Sequence, residues 1–308
     1  MCYVLEKKIF KKIMPSRQEG SPYLKLFTLE DYPDMKGEKF SFDSNGNLLK
    51  GYKYYIDKKN IKAVIILHHG LGAGHTAYET FIHNLALQGY MIYAYDNACC
   101  GESEGSGWWN FSSSLIDQEN FFKWFENDED QKGQKRIVVG HSWGGFTAIN
   151  GLRYKVDKIV AMSAFISVSD ILTNFVPPLK LLIPFLKGAQ KHYFGKYGNA
   201  NSIKLLQSSN IPVLLMSGDK DDTVDFKNNF LKMKKKLEGK NNISYYVVKD
   251  RYHQPEMTVA AQNYYRELND LLKKGKVKDF PEVNYDLLLE QDPVVLKAIY
   301  DFIDGVRQ

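Results

Sequence analysis

Cysteine is scarce in this chain: there are three in 308 residues, two of them adjacent at Cys99 and Cys100. That leaves no disulfide framework and no Cys-x-x-Cys metal spacing, and a reducing, cytoplasmic setting is expected. No stretch of about eighteen apolar residues occurs, so no transmembrane helix is predicted. The segment from Met1 to Met14 carries lysines where a signal peptide needs an apolar run. Residues 4–14 have the pattern of a short basic amphipathic helix able to touch an anionic lipid surface transiently, although a frayed or docked terminus is the expectation.

A strong charge excess is also missing. Lys and Arg total 41 against 36 Asp and Glu, a net +5 spread through the sequence, which gives no reason to expect nucleic acid as a partner. The densest basic run, Lys232-Met233-Lys234-Lys235-Lys236, lies beside Phe230, Leu231 and Leu237 and reads as the solvated face of a helix. Internal repeats and low-complexity segments are absent. What remains is the composition of an ordinary globular protein, 44% hydrophobic and 25% charged, long enough to bury a large core.

The sheet is expected to start with an antiparallel hairpin. Two alternating segments, residues 38–43 and 48–56, flank Ser44-Asn45-Gly46-Asn47, and an Asn-Gly pair between strand-like runs is a strong turn signal. From Lys62 the pattern changes to buried apolar strands separated by helices. Strands are predicted over 63–67, 91–95, 137–139, 159–162, 213–216 and 245–248, with helices over 78–88, 114–126, 143–152 and 226–237. Such alternation implies an α/β fold with a mostly parallel sheet covered on both faces. The rhythm breaks between Ala164 and Ile211, where Pro177-Pro178 and Pro184 punctuate short apolar helices. These read as a lid over the carboxyl ends of the strands, the end where ligands bind in open α/β sheets. The expectation is one domain over residues 1–308 with a lid inserted over 166–210.

Gly140-His141-Ser142-Trp143-Gly144 joins a predicted strand to a predicted helix. A serine there sits at a strained turn with its hydroxyl exposed, and glycine on either side lets strand and helix approach closely. An unassisted hydroxyl is a poor nucleophile near neutral pH, so Ser142 needs a histidine to take its proton and a carboxylate to orient that histidine. The strand over 213–216 runs into Asp219, Asp221 and Asp222, and the strand over 245–248 runs into His253. The order is then serine, aspartate, histidine.

Together these residues make the chain resemble an α/β-hydrolase, similar to the group of monoglyceride lipases, lysophospholipases and serine aminopeptidases. The motifs run from Lys62 to His253. They are His69-Gly70-Leu71-Gly72, Asp96 followed by Gly101-Glu102-Ser103-Glu104-Gly105, the turn around Ser142, Gly218-x-x-Asp221-x-x-Val224, and His253. The resemblance implies Asp221 as the acid of a Ser142, Asp221, His253 triad. It also implies an oxyanion hole formed by the backbone N–H groups of Leu71 and Trp143, and it requires no metal or organic cofactor. His68, His69 and His141 are expected to hydrogen-bond within their own turns, and Asp96 and Ser103 to anchor loops. Gln254-Pro255-Glu256 departs from the small residues that often follow the histidine in this group.

Serine at the nucleophile position argues against relatives whose nucleophile is a carboxylate, leaving acyl transfer to water. From Ile171 to Asn210 there is no Asp or Glu, while Lys180, Lys187, Lys191, Lys196 and Lys204 supply positive charge. A peptidase that holds a free amino terminus needs carboxylates around it. The expected function is a carboxylesterase, lipase-like or lysophospholipase-like, acting on a small acyl substrate. The rivals are a serine aminopeptidase using acids from outside the lid, such as Glu102 or Glu104, and a non-catalytic binding protein of the same fold.

Overall fold

A computed structural model of the chain describes residues 21–72, 74–105, 110–175, 177–275 and 280–306, together with Val4 and Lys8. The expected amphipathic segment at 4–14 lies almost wholly outside these residues. Eight strands form one sheet: β1 (Lys36–Ser44), β2 (Asn47–Tyr55), β3 (Ala63–His68), β4 (Tyr90–Tyr95), β5 (Arg136–His141), β6 (Lys158–Met162), β7 (Val213–Gly218) and β8 (Ile243–Val248). Their order is β1-β2-β4-β3-β5-β6-β7-β8. The β1/β2 and β2/β4 pairs are antiparallel and all others parallel, as the change of pattern at Lys62 predicts. The hairpin turn is two residues long, with Asn45 at φ 54° and Gly46 at φ 81°. Two successive positive φ values match the twist of the strands they join, which is why Asn-Gly belongs there.

Side chains alternate across the sheet and build a core on each face. Val64, Ile66, Tyr93 and Val138 point to one side, where α2 (Ser113–Phe125) and α3 (Trp143–Asn150) cover them. Ile65, Leu67, Ile92 and Val139 point to the other, against α1 (Glu79–Leu87) and the last helix of the chain, residues 293–304. Burial on both faces explains why β3 and β4 are continuous apolar runs.

Between β6 and β7 the chain leaves the sheet layer. It forms α4 (Val168–Phe175), a 3-10 segment at Pro177–Leu182, α5 (Ile183–Phe194) and α6 (Ser202–Ser208). The Ser202 N–H donates to the Ile166 carbonyl at 2.8 Å, tying the two ends of the excursion together. Leu206 of α6 already belongs to the sheet core, so the cap proper lies between Ile166 and Ser202. Ile171, Leu172 and Leu186 fold inward on Phe111, Trp143, Phe146 and Phe165, forming a third apolar cluster. Residues 226–237, expected as one helix, begin as a wider π turn at Lys227–Leu231 before α7 (Lys232–Lys236). Asn229 within that turn is buried and accepts the Ile166 N–H at 3.3 Å, fastening it to the base of the cap. The chain after β8 continues through α8 (Val259–Lys273), α9 (Tyr285–Leu288) and α10 (Pro293–Asp304). Among the described residues no helix is long and apolar enough to cross a membrane.

Candidate active site

Ser142 stands between β5 and α3 at φ 57°, a left-handed conformation that costs a non-glycine residue about 1–3 kcal/mol. The turn is held from both sides. The Ser142 N–H donates to the Met162 carbonyl of β6 at 2.8 Å, and the Ser142 carbonyl accepts the Phe146 N–H at 3.0 Å. A Cβ on Gly140 would lie 2.1 Å from the Gly144 carbonyl oxygen, and one on Gly144 would lie 1.9 Å from that of His68. Gly145 is constrained less tightly: its Cβ would meet the Met162 carbonyl oxygen at 2.7 Å. Three glycines are therefore required where the pentapeptide pointed to two.

The three carboxylates after β7 separate by environment. The buried Asp221 accepts the N–H groups of Thr223 at 3.1 Å and Val224 at 2.9 Å on Oδ1, and both its oxygens lie 3.0 Å from His253 Nδ1. Burial alone would raise this carboxyl. The hydrogen bond and charge of His253 and the Val224 N–H outweigh burial and hold it below the ordinary range. Asp219 instead accepts the Asp250 N–H at 2.8 Å, and Asp222 pairs with Arg266 at 3.1 Å. Gly218 makes the histidine loop possible, since a Cβ there would meet the carbonyl oxygens of Arg251 at 2.2 Å and Tyr252 at 2.3 Å.

Ser142 and His253 line one cavity of about 720 Å³, together with Gly70 and Leu71. Asp221 sits behind the histidine, outside the lining. The Trp143 ring is fully buried, its indole N–H donating to the Phe111 carbonyl at 2.9 Å, so it packs beneath the cap and does not wall the cavity. Its backbone N–H belongs to the first turn of α3, at the positive end of that helix.

Of the three histidines expected to bond within their own turns, only His69 does. The Asn97 N–H donates to His69 Nε2 at 3.0 Å, so Nδ1 carries the proton and donates to the Gly70 carbonyl at 2.7 Å. In a trans peptide the C=O and the following N–H point in opposite directions, so fixing the Gly70 carbonyl also fixes the direction of the Leu71 N–H. His68 reaches Gln118 of α2 at 2.9 Å, and His141 reaches Tyr78 and the His253 main chain. These two correct the expectation. Both end a strand, where side chains project toward neighbouring elements and away from their own turns. Asp96 anchors its loop by accepting the N–H groups of His75 at 2.7 Å and Glu102 at 2.8 Å, and Ser103 donates to the Asp96 carbonyl at 2.7 Å.

The cavity lining combines Phe111, Phe165, Ile171 and Val224, which belong to the apolar cluster under the cap, with Tyr265, Arg266 and Asn269 of α8. Glu102 and Glu104, named as possible acids for an amino terminus, are outside the lining. Glu104 accepts the Leu48 N–H at 2.9 Å, and Glu102 faces the Tyr52 hydroxyl at 3.4 Å. Two other buried carboxyls do border the cavity, Glu79 and Glu256, and burial pushes each up to about 7. In the sequence Glu256 stands out only as a departure, and Tyr78 and Glu79, at the start of α1, carry no local signature of a site. Among the described residues no group of His, Cys, Asp or Glu side chains converges to hold a metal ion.

Over residues 59–197 the sequence matches the family model described as serine aminopeptidase, S33. That span includes His69-Gly70 and Ser142 and ends before Asp221 and His253. No curated protein matches the chain. Among solved structures the chain is similar to an esterase of Pyrococcus furiosus, 19% identical with a TM-score of 0.62, covering 84% of this chain and 98% of that one. It is similar to an alpha-beta hydrolase from Vibrio vulnificus, 17% identical with a TM-score of 0.59, covering 89% and 92% respectively. It is also similar to a membrane phospholipase A described as a bacterial virulence factor, 15% identical with a TM-score of 0.56, covering 88% and 87%. At these identities the likeness is one of fold.

Proposed function

From a chain that is an α/β-hydrolase by fold, we propose a serine hydrolase that cleaves carboxylic esters through an acyl-enzyme on Ser142. The observation that carries this reading is the buried Asp221 on His253 Nδ1, with His253 and the strained Ser142 lining one cavity. With Nδ1 engaged, Nε2 is the ring nitrogen left to take the Ser142 proton as the hydroxyl oxygen attacks the ester carbonyl. The tetrahedral oxyanion is stabilised by the backbone N–H groups of Leu71 and Trp143, each worth roughly 3 kcal/mol in comparable sites. His253 then gives the proton to the departing alcohol and activates a water that releases the acid. Asp221 keeps the imidazole oriented and stabilises its charged form.

Phe111, Phe165 and Ile171, which line the cavity and belong to one apolar cluster, suit an acyl chain. The one carboxylate of the cap, Asp170, accepts the Ser167 hydroxyl and is outside the cavity lining. One observation favours the aminopeptidase rival: Glu256 borders the cavity and its Oε2 is buried without a hydrogen-bond partner. A panel of p-nitrophenyl esters and aminoacyl-p-nitroanilides separates the two. Esters are expected to turn over faster, and faster anilides would overturn the ester assignment. A fluorophosphonate probe should label Ser142 in the folded protein and not in Ser142→Ala. No adduct would favour a non-catalytic binding protein. The cytoplasmic setting and a transient lipid contact by the N-terminal segment are part of the same proposal.

A further inference from the structure

Three loops meet at the candidate site, and one chain of hydrogen bonds crosses all of them. The Gly70 N–H donates to the Tyr78 hydroxyl at 2.9 Å, that hydroxyl meets His141 Nδ1 at 2.8 Å, and His141 Nε2 meets the His253 carbonyl at 2.8 Å. Both ends of the chain are main-chain groups whose roles cannot reverse. An amide N–H only donates and a carbonyl only accepts.

Every proton in between is therefore fixed. Tyr78 accepts from Gly70, so it spends its single proton on His141 Nδ1. Nδ1 is then bare, so Nε2 carries the imidazole proton and donates it to His253. The imidazole must be neutral for this, and burial does push its pKa down to about 3. The Ser163 hydroxyl donates to the same His253 carbonyl at 2.9 Å. The Tyr78 ring leaves little slack, because a Cβ on Gly70 would sit 2.7 Å from the Tyr78 hydroxyl oxygen.

We propose that Tyr78 and His141 are positioning residues that hold the oxyanion turn at Gly70-Leu71 at a set distance from the main chain of His253. Both border the cavity, and the His141 ring packs 4.7 Å from the His253 ring, centroid to centroid, but their hydrogen bonds go to main-chain groups and to each other. They act by keeping an oxyanion donor and the general base in register across three loops, where a displacement of 1 Å can cost about 100-fold in rate. The role rests on the ester-hydrolase reading above.

The test measures kcat and KM for p-nitrophenyl butyrate in wild type, Tyr78→Phe, His141→Ala and the double variant, well below each melting temperature. Tyr78→Phe should lower kcat about 10- to 100-fold and leave KM within about threefold. If one chain carries the effect, the double variant should be no worse than the poorer single one, within about threefold. A purely structural role would lower the melting temperature and spare kcat, or give losses that multiply. Either result overturns the proposal. Should His141→Ala fail to fold, Tyr78→Phe decides alone. Wild type that neither hydrolyses the ester nor reacts with a fluorophosphonate refutes the hydrolase reading and the positioning role with it. A working wild type with an unimpaired Tyr78→Phe refutes only the second.

Discussion

Replacing Asp221 with asparagine changes one atom and should disable the histidine for a reason visible in the hydrogen bonds. Oδ1 of Asp221 accepts two main-chain N–H groups, from Thr223 and Val224, and these can only donate. In the asparagine variant the amide oxygen must keep that place. The amide nitrogen then occupies the position of Oδ2, 3.0 Å from His253 Nδ1. It presents a proton to a ring nitrogen that previously gave one. In competition with Oδ1 at the same 3.0 Å, it favours the tautomer with the imidazole proton on Nε2, and that nitrogen cannot accept the proton of Ser142. The expected loss in kcat is about 10⁴-fold, the size of the same lesion in other triads and equal to roughly 5.4 kcal/mol of barrier. Turnover of p-nitrophenyl butyrate from pH 6 to 9 measures it, with a thermal melt to confirm folding. Asp219→Asn serves as the control and should stay within about threefold, since Asp219 is outside the cavity lining and accepts the Asp250 N–H. An Asp221→Asn variant within tenfold of wild type would refute this tautomer argument and the assignment of the acid.

Two further outcomes concern stability. Gly144→Ala should lower the urea midpoint by the equivalent of about 2 kcal/mol or more, because its Cβ meets the His68 backbone at 1.9 Å and neither backbone can retreat; a midpoint equal to wild type would show that the elbow relaxes. Glu79 is held up at about 7 by burial, so the folded state keeps its proton longer than the unfolded chain. Its share of stability is whole below an unfolded pKa of about 4.3 and fades as pH rises through about 7. Glu79→Gln should therefore remove on the order of 2–3 kcal/mol from the fall in stability between pH 5 and 8. Parallel curves for the variant and wild type would count against it.

How much of this was legible in the sequence depends on how locally each feature is encoded. The Asn45-Gly46 turn, the strands and the order of Ser142, Asp221 and His253 are written in short segments, and short segments report backbone shape well. Choosing Asp221 over Asp219 and Asp222 came from a family pattern; in the structure Asp221 is the one of the three buried against His253 Nδ1. The contacts of His141 were not legible, because its partners Tyr78 and His253 lie 63 and 112 residues away and no periodicity links them. The π turn at Lys227–Leu231 was invisible for a similar reason: it answers to a bond between Asn229 and the base of the cap. The third essential glycine, Gly145, was on the page as a letter but acquired its meaning only from the nearness of Met162.

The closure between Ile166 and Ser202 bears on how such a protein diversifies. The cap departs and returns at one point, sealed by the Ser202 N–H on Ile166 and its hydroxyl on the Phe165 carbonyl at 2.9 Å. To the sheet, everything between is a loop whose ends already touch, and lengthening such a loop adds only a slowly growing entropy. Segments of other lengths and compositions can be exchanged at this junction without disturbing the pairing of β6 with β7. Inheritance can thus rewrite the cap while the residues beneath it stay in place.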